Sequence, residues 1–486
     1  MAASSFAPPL NIQTLITRAN QLILSRLIAV FVALVLTNQY GAAQDAAQDA
    51  ALHAEDFDSD TEGVPSGWTV VSGNWHLSNG TLVADSIDSE AYITFGDDSW
   101  ENYEVKVDVT FRKVRSPSRW LSVLVRAQKD GSTPWSQVPI RFQTSSNNGV
   151  EFAARTTTDQ WSVRQTASAP SASKLNQPRE IKVAVRGSHV QAFLDGNQVI
   201  SSHLCVDRAS GCVGLGVSGC IATFDNFSLK RLRRIERETH GVSNRCENVA
   251  HRGFSAAAPE NTLAAITEAI AAGASGCEFD VYGCRDGTVV LMHDKTVDRT
   301  TDGTGPVTEL SLRELQRFDA GSWKDPKYAD QRVPTLTQAL QSLRGSGCRP
   351  VVEIKMEGIS ERVVGDIRSL DMVDQVDVIA FSQNVVREIR QLEPQIRCAW
   401  LCNETLEGTP AEQADWLESR ANVCGTKLLD LNFKMLSPEL VRELKRRGLG
   451  VWTWTVDESA VMAALRQWGV DSITTNRPDL LQQQMQ

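Results

Sequence analysis

The chain has 486 residues, 42% hydrophobic and 22% charged, a composition typical of soluble globular proteins and a length that exceeds one ordinary hydrophobic core. We therefore expect more than one domain. The formal net charge of −10 at pH 7 argues against nonspecific nucleic-acid binding, because most of the surface would repel the phosphate backbone.

The first 44 residues predict a secretory signal peptide. Arg18 and Arg26 precede a ten-residue apolar run from Leu27 to Leu36, and the small residues 41–43 follow it. Basic, apolar and small residues in this order are typical of an export signal, and the run is short for a membrane span. The alternative is an uncleaved N-terminal anchor, because the basic region is long. Either way, we expect an exported protein, periplasmic or extracellular.

Cysteine is absent from the first two hundred residues, and all ten cysteines lie at or after Cys205. An oxidising compartment would permit disulfides, although spacing alone cannot fix their connectivity. The closest candidate pairs are Cys212 and Cys220, Cys277 and Cys284, and Cys398 and Cys402. None forms a Cys-x-x-Cys motif, so neither a zinc ribbon nor a thioredoxin-type site is expected.

Residues 54–230 alternate apolar and polar side chains with a period of two. The alternation is clearest at 103–111 and 181–185, and an Asp-Gly-Asn turn at 195–197 joins two further short strands. Many short strands with turn signals predict an all-β sandwich. The Gly-Trp and Trp-His-Leu segments near its start and the Gly-Leu-Gly segment at 214–216 resemble the laminin-G or concanavalin-A-like jelly roll.

Six of the twelve tryptophans lie in this region, at positions 68, 75, 100, 120, 135 and 161. An exposed tryptophan can stack on a sugar ring, whereas a buried one fills the core of a sandwich. Carbohydrate or a cell-surface polymer is therefore a candidate partner of this domain, and a purely structural role of the tryptophans is the alternative.

Residues 231–246 begin with a run of charges that is typical of a solvated linker. From 247 to 484, short apolar strands alternate with helical stretches. The strand candidates are residues 249–250, 276–281, 288–292, 350–355, 376–381, 398–401, 427–431, 450–454 and 472–474. Eight or nine strands in roughly 240 residues match one (β/α)8 TIM barrel. The predicted fold is thus a jelly-roll sandwich followed by a TIM barrel.

Acidic side chains interrupt two of the barrel strands. Glu278 and Asp280 are two residues apart and therefore point to the same face, and Glu353 and Lys355 repeat this spacing on a later strand. A charged residue inside an apolar strand is costly unless it is paired or bound to a cation. Three carboxylates with no cysteine nearby suit one hard divalent ion, Mg²⁺ or Ca²⁺.

Histidines follow two other strands directly. His251 and His293 each come after an apolar run, and Arg252 follows the first of them. Arg252 and Lys355 could neutralise phosphate oxygens, while one imidazole acts as base or nucleophile and the other as acid on the leaving oxygen. Together with a metal ion, this set predicts phosphodiester hydrolysis. Glu260 and Asn261 remain ambiguous, because Asn261 also suits the cap of the first helix.

Several segments resemble the motifs of the glycerophosphodiester phosphodiesterase family across 247–484. They are His251-Arg252-Gly253, Pro259-Glu260-Asn261-Thr262, Glu278-Phe279-Asp280-Val281, His293-Asp294, residues 298–305, Val333-Pro334-Thr335-Leu336, Glu353-Ile354-Lys355 and Trp454-Thr455-Val456-Asp457. The resemblance implies a (β/α)8 barrel that hydrolyses glycerophosphodiesters to glycerol 3-phosphate and an alcohol.

The same resemblance implies a role for each matching residue. His251 and His293 would be the acid–base pair, Glu278, Asp280 and Glu353 the metal ligands, Arg252 and Lys355 the phosphate contacts, and Trp454 part of the glycerol pocket. Asn476 departs from the aspartate common at its position, a change expected to touch the loop after the last strand and to leave the metal site intact. The alternatives are a phospholipase D-like enzyme acting on lysophospholipids or sphingomyelin, and a lectin-like protein with an inactive barrel.

Overall fold

The computed structural model describes residues 51–58, 63–143, 148–232 and 246–486. The chain divides into two compact units. The predicted signal peptide lies outside the described residues, as does most of the predicted linker, and the domain boundaries stay predictions. None of the helices within these ranges combines the length and the apolar composition needed to cross a membrane.

The N-terminal region is built from β-strands, which confirms the predicted sandwich. Its strands are β1 (Ala51–Glu55), β2 (Trp68–Ser72), β3 (Asn74–Ser78), β4 (Thr81–Phe95), β5 (Tyr103–Val114), β6 (Trp120–Ala127), β7 (Trp135–Arg141), β8 (Val150–Arg155), β9 (Trp161–Ala167), β10 (Arg179–Arg186), β11 (His189–Leu194), β12 (Asn197–Ser202) and β13 (Cys212–Arg231). The strands predicted at 103–111 and 181–185 and the turn at 195–197 are all present.

Strand β13 connects the two layers of the sandwich. Residues 212–218 pair with β6, whereas residues 220–231 pair with β5, and the register shifts between Ser218 and Cys220. Gly219 between them has φ +63°, and the Arg119 side chain occupies the place where a Cβ would stand. A bend of this kind lets one strand pass from one sheet layer to the other.

Most tryptophans of the sandwich belong to its core. Trp68, Trp75, Trp120 and Trp135 are buried, with at most 8% of each side chain exposed, while Trp100 and Trp161 are half-buried. Four of the six rings that motivated the prediction of sugar stacking are therefore largely removed from solvent.

The C-terminal region is a closed parallel barrel, as predicted. Its strands are β14 (Glu247–Ala250), β15 (Gly276–Gly283), β17 (Arg349–Ile354), β18 (Asp377–Ala380), β19 (Arg397–Cys402), β20 (Leu428–Asn432), β21 (Gly450–Trp454) and β22 (Ser472–Thr475). Parallel pairing of β14 with both β15 and β22 closes the ring. The ninth strand candidate forms β16 (Val289–Leu291), which pairs antiparallel with β15 and stays outside the ring.

Helices follow most strands of the barrel. They are α1 (Leu263–Ala271), α2 (Leu312–Leu315), α3 (Leu336–Leu343), α4 (Ser360–Ser369), α5 (Gln383–Leu392), α6 (Pro410–Cys424), α7 (Pro438–Arg446), α8 (Ser459–Trp468) and α9 (Pro478–Met485). A capping box between Ser311 and Glu314 begins α2. Thr262 is the N-cap of α1, whereas Asn261, which the sequence offered as a cap, adopts φ +57°.

The candidate disulfides are not formed. At least one cysteine of each close pair is a buried free thiol, namely Cys220, Cys277, Cys284, Cys398 and Cys402. Burial raises the pKa of Cys220 and of Cys398 to about 12, which keeps these thiols protonated and unreactive at neutral pH.

Candidate active site

The carboxyl ends of the barrel strands surround a cavity of about 190 Å³. Seven of the residues predicted from the sequence line it: His251, Arg252, Glu278, His293, Glu353, Lys355 and Trp454. Asp280, on the same strand as Glu278, is fully buried behind this surface. Active sites of TIM barrels lie at this end of the strands, so the fold brings the predicted residues to the expected place.

Three carboxyl groups converge beside the cavity. One oxygen from each of Glu278, Asp280 and Glu353 lies within 4.8 Å of the others, and all three side chains are buried. Oε1 of Glu278 and Oδ1 of Asp280 have no hydrogen-bond partner within the described ranges. Buried carboxylate oxygens this close together, two of them without a hydrogen bond, fit the ligand set of a hard divalent cation.

The electrostatics of this cluster are those of crowded acids. Burial and the neighbouring Asp280 raise the pKa of Glu353 to about 7, and burial with the same neighbour raises that of Glu278 well above its usual range. Burial opposes the ionisation of Asp280 too, but Arg252 and Lys355 outweigh it and lower its pKa. One carboxylate thus stays ionised beside two that compete for protons.

Two cations lie against the cluster without neutralising it fully. Nζ of Lys355 lies 2.7 Å from Oε1 of Glu353 and 3.3 Å from Oδ1 of Asp280. Nε of Arg252 lies 3.3 Å from the other oxygen of Asp280. Two positively charged side chains thus face three acidic side chains, so a bound cation could compensate the remaining negative charge.

A left-handed turn directs Arg252 into the site. Arg252 has φ +55° and the following Gly253 has φ +77°, a conformation that costs a non-glycine residue about 1–3 kcal/mol. A Cβ on Gly253 would lie 2.6 Å from the backbone of Ala265, so only glycine fits there. This turn allows the backbone N–H of Arg252 to donate a hydrogen bond to Oε2 of Glu278 at 2.8 Å.

His251 is held by Asn476 and, through it, by Asp457, two residues for which the sequence predicted no contact with a histidine. Its Nδ1 lies 2.8 Å from Oδ1 of Asn476. Asp457 accepts hydrogen bonds from Nδ2 of Asn476 at 2.7 Å and from its backbone N–H at 2.8 Å. The amide oxygen must therefore face the imidazole, which places the proton of His251 on Nδ1 and leaves Nε2 as an acceptor, 4.0 Å from Oε2 of Glu278.

Burial and the Arg252 guanidinium lower the pKa of His251 to about 4. This imidazole is therefore neutral near neutral pH.

His293 has a different kind of partner. Its Nδ1 lies 2.6 Å from Oδ1 of Asp294, and Arg299 donates to the other oxygen of that carboxylate. The hydrogen bond from Arg299 holds the pKa of Asp294 at about 2. The two histidines thus have different partners, an amide for His251 and a carboxylate for His293.

The two ambiguous residues hold others in place. Oε1 of Glu260 lies 2.8 Å from a guanidinium nitrogen of Arg252 and 2.8 Å from one of Arg299, so this carboxylate connects the two arginines. Asn261 donates to Oδ2 of Asp280 at 2.9 Å and accepts from the backbone N–H of the same residue. Asn261 therefore orients a candidate metal ligand, and Thr262 alone caps the helix.

Asn476 lies in the loop after the last strand, as the sequence predicted, but its side chain reaches His251. We expect Asn476→Leu to lower kcat about 10- to 100-fold with a smaller effect on KM, because the imidazole loses the acceptor that fixes its tautomer. Steady-state kinetics on glycerophosphocholine measure this. Asn422→Leu, at an exposed position of α6, is the matched control, and equal kcat values for the two variants would contradict the expectation.

Comparison with known proteins identifies the relatives of the barrel. Residues 251–480 match the model of the glycerophosphoryl diester phosphodiesterase family. A glycerophosphodiester phosphodiesterase of Caldanaerobacter subterraneus is 33% identical over 238 residues, which cover 48% of this chain and 95% of the relative. A phosphodiesterase structure from Oleispira antarctica, in complex with sn-glycerol-3-phosphate, is 28% identical, with a TM-score of 0.44, covering 49% of this chain and 96% of that one.

The sandwich has relatives of its own. Residues 83–232 match the model of the C-terminal lectin domain of galactocerebrosidase. The carbohydrate-binding module CBM66 from Bacillus subtilis is 22% identical, with a TM-score of 0.30, covering 34% of this chain and 95% of that module.

Proposed function

Because the chain belongs to the glycerophosphoryl diester phosphodiesterase family, we propose that its barrel hydrolyses glycerophosphodiesters to glycerol 3-phosphate and an alcohol, with a divalent cation held by Glu278, Asp280 and Glu353. The observation that carries the proposal is the convergence of these acids within 4.8 Å, beside a cavity that two histidines line. Mg²⁺ and Ca²⁺ both suit an all-oxygen ligand set.

When bound, the cation would supply Lewis-acid stabilisation of the charge that develops on the phosphoryl oxygens. Arg252 and Lys355 face the same cavity and are proposed to bind those oxygens, where their fixed positive charges stabilise the transition state. Glu260 and Asn261 support this arrangement by fixing Arg252 and Asp280.

The chain's own groups divide the proton work in this proposal. Hydrolysis breaks the bond between phosphorus and the alcohol oxygen, adds the hydroxyl of water to phosphorus, and gives the remaining proton to the alcohol. His251, neutral and with Nε2 as an acceptor, is suited to act as base or nucleophile. His293, hydrogen-bonded to the Asp294 carboxylate, is suited to protonate the leaving oxygen.

For the sandwich, we propose binding of a carbohydrate or cell-surface polymer outside the cell, in keeping with the predicted export. Similarity to a lectin domain supports this proposal. Four of the six tryptophans in the sandwich are buried, so only the other two indole rings are available to stack on a sugar ring. A glycan array probed with the full chain tests it, and the absence of binding to every glycan would count against it.

A substrate panel with metal add-back tests the proposed reaction. We expect glycerophosphocholine to give glycerol 3-phosphate, the activity to disappear after chelation, and Mg²⁺ or Ca²⁺ to restore it. Turnover of lysophosphatidylcholine or sphingomyelin without turnover of glycerophosphocholine would instead establish the phospholipase D-like alternative. No turnover of any diester with either ion would favour the lectin-like protein with an inactive barrel.

A further inference from the structure

One acidic side chain in the catalytic cavity has no role in the site described so far. Asp430 lies on β20, and its side chain lines the cavity together with His251 and Trp454. It is 1% exposed, and its Oδ1 is buried with no hydrogen-bond partner in the part of the chain that the structure describes. A buried carboxyl oxygen without a partner is costly, so its presence calls for an explanation outside the protein's own packing.

The neighbouring charges do not supply that explanation. Asp430 is not a member of the acidic cluster formed by Glu278, Asp280 and Glu353. The ammonium group of Lys355 pairs with Asp280 and Glu353, and within the described ranges no ion pair reaches Asp430. Asp430 is thus neither one of the clustered metal ligands nor half of a salt bridge.

The wall around Asp430 has the chemistry of a small polyol site. Ile379 and Leu401 line the same cavity as apolar surfaces, and the indole N–H of Trp454 donates to the backbone oxygen of Asp430 at 3.1 Å, which fixes the ring. A carboxyl group beside an indole can bind a hydroxyl while the ring covers the attached carbons.

The size of the cavity limits what can enter it. Its volume of about 190 Å³ lies below the roughly 300–1,000 Å³ of pockets that enclose drug-sized ligands. A three-carbon polyol esterified to phosphate fits a space of this size, whereas a fatty acyl chain on the glycerol would have to extend beyond it.

From this placement we propose that Asp430 binds a hydroxyl group of the substrate's glyceryl moiety and thereby favours diesters that carry a glyceryl hydroxyl over diesters of an alcohol without one. The inference rests on the proposed function and adds to it the residue that recognises the glycerol. Burial and the nearby Glu353 raise the pKa of Asp430 well above its usual range, and a protonated carboxyl can both donate to and accept from a hydroxyl.

The test uses the full chain, two variants and two matched substrates. Asp430→Leu keeps the branched shape of the side chain but cannot hydrogen-bond, whereas Asp430→Asn keeps a donor and an acceptor. Glycerophosphocholine is compared with propylphosphocholine, which has the same phosphocholine and a three-carbon ester without hydroxyls. We expect Asp430→Leu to lower kcat/KM for glycerophosphocholine about 10- to 100-fold and to change kcat/KM for propylphosphocholine less than about threefold. Asp430→Asn should retain most of the activity on both substrates.

A melting temperature of Asp430→Leu at or above that of the wild type would also support the inference, because leucine removes a buried orphan oxygen. Should this variant fail to fold, Asp430→Asn carries the test, with a smaller loss confined to glycerophosphocholine. Equal losses on both substrates, or no loss on glycerophosphocholine, would overturn the inference and leave the phosphodiesterase activity standing. A wild-type protein that releases no glycerol 3-phosphate would overturn the proposed function as well.

Discussion

His251→Ala and His293→Ala will each lower kcat for glycerophosphocholine by about 10²- to 10⁴-fold, the range that a positioned proton-transfer group contributes. The reason is that the two imidazoles have different partners. Asn476 accepts from Nδ1 of His251, which burial and Arg252 keep neutral, whereas Nδ1 of His293 is hydrogen-bonded to the carboxylate of Asp294. Neither histidine can therefore take over the other's role. Release of glycerol 3-phosphate under saturating substrate and metal measures the effect.

The control for these variants is His76→Ala, which removes a half-buried histidine of strand β3 and should leave turnover unchanged. The double variant should lose little more activity than the less active of the two single variants, because the effects of substituting groups that act as a unit are not additive. Wild-type turnover in both single variants would refute the assignment of the histidine pair.

Glu278→Gln, Asp280→Asn and Glu353→Gln are expected to lower kcat/KM about 10³-fold or more, because several kcal/mol of transition-state stabilisation depend on the bound cation. Each change replaces with a neutral amide one of the three carboxyl groups whose oxygens lie within 4.8 Å of one another. Kinetics at rising Mg²⁺ and Ca²⁺ measure the loss. Glu361→Gln, at an exposed position of α4, is the matched control, and full activity of all three triad variants after chelation would contradict the expectation.

The same acids make the ion's effect on stability depend on pH. The pKa of Glu278 and that of Glu353 lie above the ordinary 4.5 in the folded protein, the latter at about 7. Between the ordinary pKa of 4.5 and the raised pKa values of the folded protein, the folded state binds more protons than the unfolded state. These two groups therefore make the ion-free protein less stable as pH rises from about 4.5 through 7.

A cation that replaces those protons reverses this loss. The rise in Tm that Mg²⁺ or Ca²⁺ produces should therefore be larger at pH 8 than at pH 5.5. It should also vanish in Glu278→Gln. An ion-induced shift of equal size at both pH values would be inconsistent with a site made of these three carboxylates.

Much of the barrel was predictable because its signals are local. Each strand appears as a short apolar run, and the i, i+2 spacing of Glu278 and Asp280 already places both side chains on one face. A closed parallel barrel then brings the carboxyl ends of its strands together, so residues far apart in sequence, such as His251 and Glu353, meet without any pairwise signal.

The partners of these residues could not be predicted in the same way. The hydrogen bond between His251 and Asn476 spans 225 positions, and no sequence period encodes it. Asp430 follows an apolar run like any buried strand residue, and only the cavity shows that its carboxyl lacks a partner. Spacing likewise suggested disulfides, whereas the fold buries at least one cysteine of each close pair as a free thiol.

We propose that one divalent cation lies between Glu278, Asp280 and Glu353, with His251 and His293 beside it. Anomalous scattering from crystals of the full chain grown with Mn²⁺, an oxygen-seeking substitute for Mg²⁺, would locate this ion. We expect a single strong peak within about 2.0–2.6 Å of one oxygen from each of the three acids, absent in Glu353→Gln. A peak elsewhere in the barrel, or none at this position at saturating Mn²⁺, would contradict it.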